Sequence, residues 1–327
     1  MTGDRAAVHL LVGPRRHGVV RHGHLIAQAG TAELRTSRRP PEPRSVAGRR
    51  IIVQFTDRLF GTDALTAAAA LEHLVATAGR SVVVLHDLPQ ASDGSAWQRR
   101  RAGYARVAGA ADVVVVSSHH EARLLGDVAP GVRPAIIPLP VDPSPYAGCS
   151  PATPPSGWEP GQRTVGVLGY LYPGKGLEQV IDAVAGLPAQ VVNLGTAAAG
   201  HEDLVPALQD RARDRGVALT VTGWLDDAAM AAAIEAVDVP IAPHQHISAS
   251  GSINTWLAAG RRPIVLDSPY VRELVERLPG ALQVVADVDR LTGAVRQALA
   301  QPDRTRLGEI AIGPSSAQVA ARLEALA

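Results

Sequence analysis

Short apolar runs separated by helical patterns recur along the whole chain. In the first half, residues 7–12, 51–55, 81–85, 112–117 and 135–138 are nearly continuous in apolar side chains. Runs without polar alternation suit parallel strands buried on both faces. Residues 32–36 give a weaker strand pattern. Helices are predicted where Val19, Val20, Leu25 and Ile26 recur, in the alanine-rich stretch 66–77, in the basic stretch 97–108 and at 119–125. The alternation restarts after residue 163. Strands are predicted at 164–169, 190–194, 218–222, 237–242, 263–266 and 282–285. Helices lie between them, at 204–215, 228–236 and 252–259 among others. A last helix at 315–327 puts Val319, Leu323 and Leu326 on one side. This is an α/β pattern of two doubly wound, Rossmann-like domains, expected to face a central cleft with their carboxyl edges.

Residues 140–162 are rich in proline, glycine and serine and read as a connector. The expected division is a first domain over 1–147, a linker at 148–163 and a second domain over 164–312. A terminal helix at 313–327 is expected to pack back toward the first domain.

Composition narrows the class. The 327 residues are 46% hydrophobic and 19% charged, which is globular. The net charge of +1 argues against a dedicated nucleic-acid binder. The charge is uneven: residues 1–150 carry 18 basic and 12 acidic groups, hence +6, and the rest carry 14 and 19, hence −5. A basic first half suits an anionic acceptor or weak peripheral contact with a lipid surface. Arginine-rich loops at 35–50 are the plainer account. One cysteine, Cys149, excludes an internal disulfide framework and a cysteine-based zinc site. No N-terminal apolar segment and no run near the roughly 18 residues of a membrane span is present, so a cytoplasmic protein is expected, as a monomer or homodimer.

The chemistry concentrates in residues 165–184, VGVLGYLYPGKGLEQVIDAV. An apolar strand ends at Gly169 and Tyr170. Pro173, Gly174, Lys175 and Gly176 form a turn, and Leu177, Val180, Ile181 and Val184 then fall on one helical face. A strand, a glycine-rich turn and a helix N-terminus make an anion site, through open backbone N–H groups and the helix dipole. Lys175 is the sole lysine of the chain; the other 31 basic residues are arginines. A compact ammonium suits close approach to a phosphate oxygen better than a wide guanidinium. The spacing is not that of a P-loop. A solvated lysine in an ordinary turn is the bland alternative.

Other loops follow predicted strands. Gly223, Trp224 and Leu225 precede Asp226 and Asp227, a helix cap. Ser250, Gly251 and Ser252 open a helix carrying Asn254 and Thr255. This is a second anion site of the same kind, or simply a serine cap. In the first half, Gly18 lets backbone approach a ligand, beside Arg15, Arg16 and His17. His86 and Asp87 end the strand at 81–85, where open α/β sheets bind ligands. Asp287 and Asp289 read as a helix-start pair rather than metal ligands.

Together these residues resemble retaining GT-B glycosyltransferases of family 4 (glycosyl transferases group 1). The segment from Gly169 to Gly176 matches the family's glycine-to-lysine signature, with Lys175 as its phosphate-binding lysine. His86 matches its N-domain histidine, and the stretch SASGSINTWLAAG its helix start. The resemblance implies a nucleoside-diphosphate sugar bound mainly by the second domain, at Gly169, Tyr170, Lys175, Gly223, Trp224, Leu225, Ser250, Gly251, Ser252, Asn254 and Thr255, with Gly18 reaching the donor from the first. It implies a saccharide or other hydroxyl acceptor on the first domain, near Arg15, Arg16 and His17. Lys175 and His86 would be catalytic, His86 contacting the sugar or steadying charge. No metal or other cofactor is expected. Hexose transfer from GDP-mannose is the first expectation, and glucose from a UDP or ADP donor the next. Three departures stand out. Tyr170 replaces an arginine, and the family's two glutamates fall on Ile247 and Thr255; Asn254, Thr255, His244 and His246 are the candidate substitutes. A nucleotide-sugar epimerase and a non-catalytic nucleotide-sugar binder are the competing functions. The epimerase lacks a carboxylate pair.

Overall fold

Two all-parallel six-stranded sheets organise the chain. The computed structural model describes residues 6–144, 157–158, 161–245 and 247–327. Cys149, His246 and most of the expected linker lie outside the described residues. The chain divides into one unit of Met1–Pro140 with Pro314–Ala327, and a second of Val141–Gly313.

In the first unit the strands are β1 (Val8–Val12), β2 (Glu33–Ser37), β3 (Arg50–Phe55), β4 (Arg80–Leu85), β5 (Val113–Val116) and β6 (Ala135–Ile136). Its helices are α1 (Gly18–Ala29), α2 (Asp57–Phe60), α3 (Ala64–Val75), α4 (Trp97–Ala110) and α5 (His119–Val128). The sheet order is β2-β1-β3-β4-β5-β6. Successive side chains point to opposite faces. Ile51, Val53 and Phe55 therefore pack with α3 and α4 residues such as Leu71 and Tyr104. Ile52, Val82 and Val84 pack on the other face with Ile26 of α1. The last helix of the chain also covers that face, through Val319, Ala320 and Leu323. Its Glu324 carboxylate accepts from the backbone N–H of Thr31 and Ala32 and from the Thr31 hydroxyl, at 2.6–2.8 Å.

One detail of α1 differs from the sequence pattern. Leu25, expected on the apolar face, is 55% exposed. The buried positions are Val20, Gly23, Ile26 and Ala27, a three-then-four spacing that leaves Leu25 outside it.

The second unit holds β7 (Arg163–Leu168), β8 (Ala189–Leu194), β9 (Leu219–Val221), β10 (Val239–Ala242), β11 (Ile264–Leu266) and β12 (Gln283–Val285). Its helices are α6 (Leu177–Val184), α7 (Leu204–Asp214), α8 (Asp227–Ala236), α9 (Gly251–Ala258), α10 (Pro269–Arg277) and α11 (Leu291–Ala300); α12 (Ser316–Leu326) is the returning helix of the first unit. The order β12-β11-β10-β7-β8-β9 places β10 beside β7. The chain enters this unit at Val141, which packs with Leu257 and Leu274. As the sequence predicts, Asp226 caps α8 and Asp287 caps the turn before α11.

Candidate functional site

Strand order reverses between β7 and β10, and in an open parallel sheet such a switch point is where ligands bind, beyond the carboxyl ends. Two loops meet there. One, 169–176, joins β7 to α6; the other, 243–250, joins β10 to α9. Gly176 caps α6 at φ +91°, and a Cβ on it would stand 2.2 Å from the Pro243 carbonyl oxygen. Only glycine fits that contact without displacement. The Gln245 N–H donates to the Gly174 carbonyl at 3.2 Å, locking the loops together. Behind them the Asn193 side-chain amide donates to the Gly169 carbonyl.

Lys175 sits inside this junction, only 3% exposed. It is therefore not a solvated turn residue. Its Nζ donates to the Leu168 carbonyl at 2.7 Å and lies 3.0 Å from His244 Nε2. The same imidazole nitrogen is 3.3 Å from the Ser252 hydroxyl, which is 3.1 Å from the Ser250 hydroxyl. Ser250 caps α9 by accepting from the Ile253 N–H. The two loops in which the sequence predicts anion sites are thus joined by His244. Burial pushes the Lys175 ammonium down to about 7. Burial, then the Lys175 charge, drives His244 well below its ordinary value, against the Ala242 backbone. An anion here would meet a cation and two helix N-termini.

The remaining second-unit residues divide. Gly169 and Tyr170 lead into the junction, and Gly251 and Asn254 belong to the first turn of α9. Thr255 spends its hydroxyl on the Gly251 carbonyl of its own helix, at 2.8 Å. Ile247 is buried in an apolar cluster with Ile253 and Leu257. Neither position carries a carboxylate. Gly223, Trp224 and Leu225 follow β9, the edge strand two places from β7. Trp224 is 41% exposed there, and Leu225 packs inward.

The first unit has its own switch point, between β1 and β3. Gly18 begins α1 after the loop holding Arg15, Arg16 and His17. His17 caps α1, its Nδ1 accepting from the Val19 N–H. Arg15 and Arg16 are exposed, and Arg15 reaches His24 at 3.2 Å. His86 follows β4. Its Nε2 is 2.7 Å from Gln54 Oε1, and the Gln54 amide nitrogen is 3.0 Å from His9 Nε2. The His22 ring packs edge-on against His86, centroids 5.7 Å apart. Burial lowers His86 and His9 to about 4 and His22 to about 3. All three rings are neutral at pH 7. His86 can engage a sugar or hydroxyl by hydrogen bonding, but it carries no charge with which to steady another. Sequence reading missed His9, Gln54 and His22. The available signal was a polar residue inside each of two apolar strand runs.

Next to this cluster Asp87 adopts φ +52°, the sole non-glycine residue at positive φ among the described residues. Its carboxylate accepts from Thr56, and its carbonyl from Arg100. Among the described residues no group of three or more His, Cys, Asp or Glu side chains is arranged to hold a metal, and no helix is long and apolar enough to cross a membrane.

Comparison with curated protein sequences finds no match. Solved structures match over nearly the whole chain at low identity. Anabaena HepE in complex with UDP and glucose is similar over 98% of this chain and 94% of that one, at 16% identity and a TM-score of 0.69. Sucrose-phosphate synthase from Thermosynechococcus elongatus covers 98% and 95%, at 16% and 0.63. WaaG, a glycosyltransferase involved in lipopolysaccharide biosynthesis, covers 98% and 95%, at 14% and 0.63. The glycosyl transferases group 1 model matches residues 162–301, the segment that holds the Lys175 junction. The two six-stranded parallel units have the fold of GT-B glycosyltransferases, and the family match falls within the second of them.

Proposed function

We propose that the chain is a glycosyltransferase that moves a hexose from a nucleoside-diphosphate sugar to a saccharide or other hydroxyl acceptor, with retention and without a metal. The observation that carries this reading is the buried Lys175 between two helix N-termini at the β7/β10 switch point. The group 1 match over the same segment supports it.

The chemistry asks little covalent work of the protein. The bond from the anomeric carbon to the β-phosphate oxygen breaks as the acceptor oxygen bonds to that carbon on the same face. The acceptor proton passes to the departing phosphate oxygen. Negative charge grows on the diphosphate, where Lys175 and the starts of α6 and α9 stand ready. At about 4 Å and an effective dielectric near 20, one such contact is worth roughly 4 kcal/mol before desolvation. His86 takes the role of a neutral hydrogen-bonding partner for the sugar or acceptor, and the loop of Arg15, Arg16 and His17 that of an acceptor contact.

GDP-mannose remains one donor proposal. UDP-glucose joins it, because a structure of similar fold, Anabaena HepE, is a complex with UDP-glucose. A thermal-shift panel of UDP, GDP, ADP and their sugars tests both. A ligand at a hundred times its Kd adds about 2.7 kcal/mol to the native state, so the right base raises the melting temperature and the wrong ones do not. Release of nucleoside diphosphate with an acceptor present, undiminished by EDTA, then tests transfer without metal. One observation favours a second reading, a non-catalytic nucleotide-sugar binder: Ile247 lies in an apolar cluster where the resembled family has one of its two donor-contacting glutamates. Binding in the panel without turnover of any donor would select it.

A further inference from the structure

Lys175 meets the β10–α9 loop through one ring. An ammonium only donates, so at 3.0 Å His244 Nε2 must present its lone pair, which puts the ring proton on Nδ1. The Ser252 hydroxyl shares that nitrogen, from the first turn of α9. The other acceptor of Nζ is the Leu168 carbonyl, and the Tyr172 ring centre stands 5.9 Å away. Among the described residues no carboxylate pairs with this cation. Lys175 and His244 are both buried. A buried cation held only by neutral acceptors is costly, and a bound diphosphate would supply the counter-charge that the protein withholds.

We propose that His244 is a positioning residue for Lys175 in donor binding: its Nε2 accepts the ammonium and holds it against the Leu168 carbonyl, while the Ser252 hydroxyl at the start of α9 lies against the same nitrogen. This rests on the sugar-donor reading above. A histidine suits the task because its burial, and the neighbouring cation, keep it neutral and accepting. The groups that bear on the pair are Tyr172 from the β7–α6 loop, Ser252 from α9 and the Ala242 backbone from β10. Hydrogen bonding to a charged form favours that form. Removing Nε2 takes away one of two acceptors, so the ammonium should lose its proton more readily. Burial already brings Lys175 to about 7, so the loss is felt at physiological pH.

The sole lysine makes the test direct. Protein grown with ¹³C-lysine gives one side-chain signal that reports Lys175 alone. In the ligand-free full chain, His244→Leu should lower its titration midpoint by about one pH unit. His244→Gln, whose Oε1 can accept, should restore most of that shift. At pH 8, addition of whichever of UDP, GDP or ADP binds the unaltered protein should return the signal to its ammonium position. The Kd of that nucleotide should rise about tenfold in His244→Leu and less than threefold in His244→Gln. If His244→Leu does not melt cooperatively, His244→Asn, too short to reach Nζ, takes its place. Equal midpoints in all folded variants would overturn the proposal. A midpoint that moves as described, with no nucleotide disturbing the unaltered signal, would support the Lys175–His244 contact and overturn the donor reading instead.

Discussion

His86 Nε2 and Gln54 Oε1 lie 2.7 Å apart across neighbouring strands, and through Gln54 the ring is linked to His9. Strand parity puts them together. His9, Gln54 and His86 share the sheet face that α1 and α12 cover, and α1 brings His22 to the same place. With His86 donating through Nε2, its Nδ1 is the ring's acceptor. His86→Ala should therefore lower turnover while leaving nucleoside-diphosphate affinity within about twofold, because the proposed donor site places the diphosphate at Lys175 in the second unit. Single-turnover kinetics and nucleotide titration separate the two effects. An equal loss of nucleotide binding would count against this role.

The same cluster predicts acid sensitivity. His9, His86 and His22 fall from the ordinary 6.5 to about 4, 4 and 3 on burial. Between those values and 6.5 the unfolded chain binds more protons than the folded one, so stability falls as pH falls through that window. It is fully present above about pH 6.5. A depression of 2.5 units is worth roughly 3 kcal/mol for one ring, and rings in contact do not add independently. Melting temperature should drop steeply between pH 6.5 and 4. His22→Phe keeps the edge-on ring and removes one titrating group, so its melting curve should depend less on pH. A slope equal to that of the unaltered protein would refute the assignment.

Arg100 ties down the segment after β4. It donates to Asp57 at 2.9 Å, to Asp93 at 2.5 Å and to the Asp87 carbonyl at 2.5 Å. Its guanidinium lies over the Tyr104 ring, whose hydroxyl donates to the His86 carbonyl. Arg100→Met should cost about 2 kcal/mol, below the full penalty of a buried pair because the side chains keep some exposure to water. Arg100→Lys should recover little, since one ammonium cannot make the three divergent contacts. Thermal melts read both. Activity should fall further than stability, because the strained Asp87 and His86 lose their brace.

The two positions where the resembled family carries glutamate make a paired prediction. Thr255→Ala removes a hydroxyl already used within α9, so nucleotide affinity should change by less than about twofold. Ile247→Glu buries a carboxylate among Ile253, Leu257 and Leu274 and should destabilise by several kcal/mol. A stable Ile247→Glu protein with improved donor turnover would mean that the loop can recover the family's geometry.

Much of this was legible from residue pattern. Both sheets announced themselves because a parallel strand buried on two faces leaves an unbroken apolar run. Lys175 stood out by composition, and the start of α9 by its serines. Edges were less legible. The pattern at 237–242 includes Val237, but that residue is the C-cap of α8, its N–H turned to the Ile234 carbonyl, and β10 begins at Val239. Apolarity marks burial and does not separate a buried cap from a strand. The role of His244 was out of reach for a different reason. It is 69 residues from Lys175, and only the reversal of strand order brings β10 beside β7. The sequence offered it as a stand-in for a missing glutamate; the fold makes it the partner of the lysine.

Lys175 carries the sharpest prediction. Lys175→Ala should reduce turnover roughly 10²–10³-fold, the usual cost of deleting one preorganised charge stabiliser. The loss should fall mainly on kcat, since charge on the diphosphate grows as the glycosidic bond breaks. Lys175→Arg keeps a charge but brings a planar fork into a space closed by the Leu168 carbonyl, His244 and the Pro243–Gly176 contact. It should rescue only partially. Nucleotide binding should also depend on pH in a definite direction. The free ammonium titrates near 7, and a diphosphate favours its charged form. Binding above that pH must therefore take up a proton, and affinity should fall by up to about tenfold per pH unit from 7 upward. Calorimetry in buffers of different ionisation enthalpy measures that uptake, and Lys175→Ala should abolish it. Titrations of the unaltered protein that give the same Kd from pH 6 to pH 9 would remove the ammonium from the binding step.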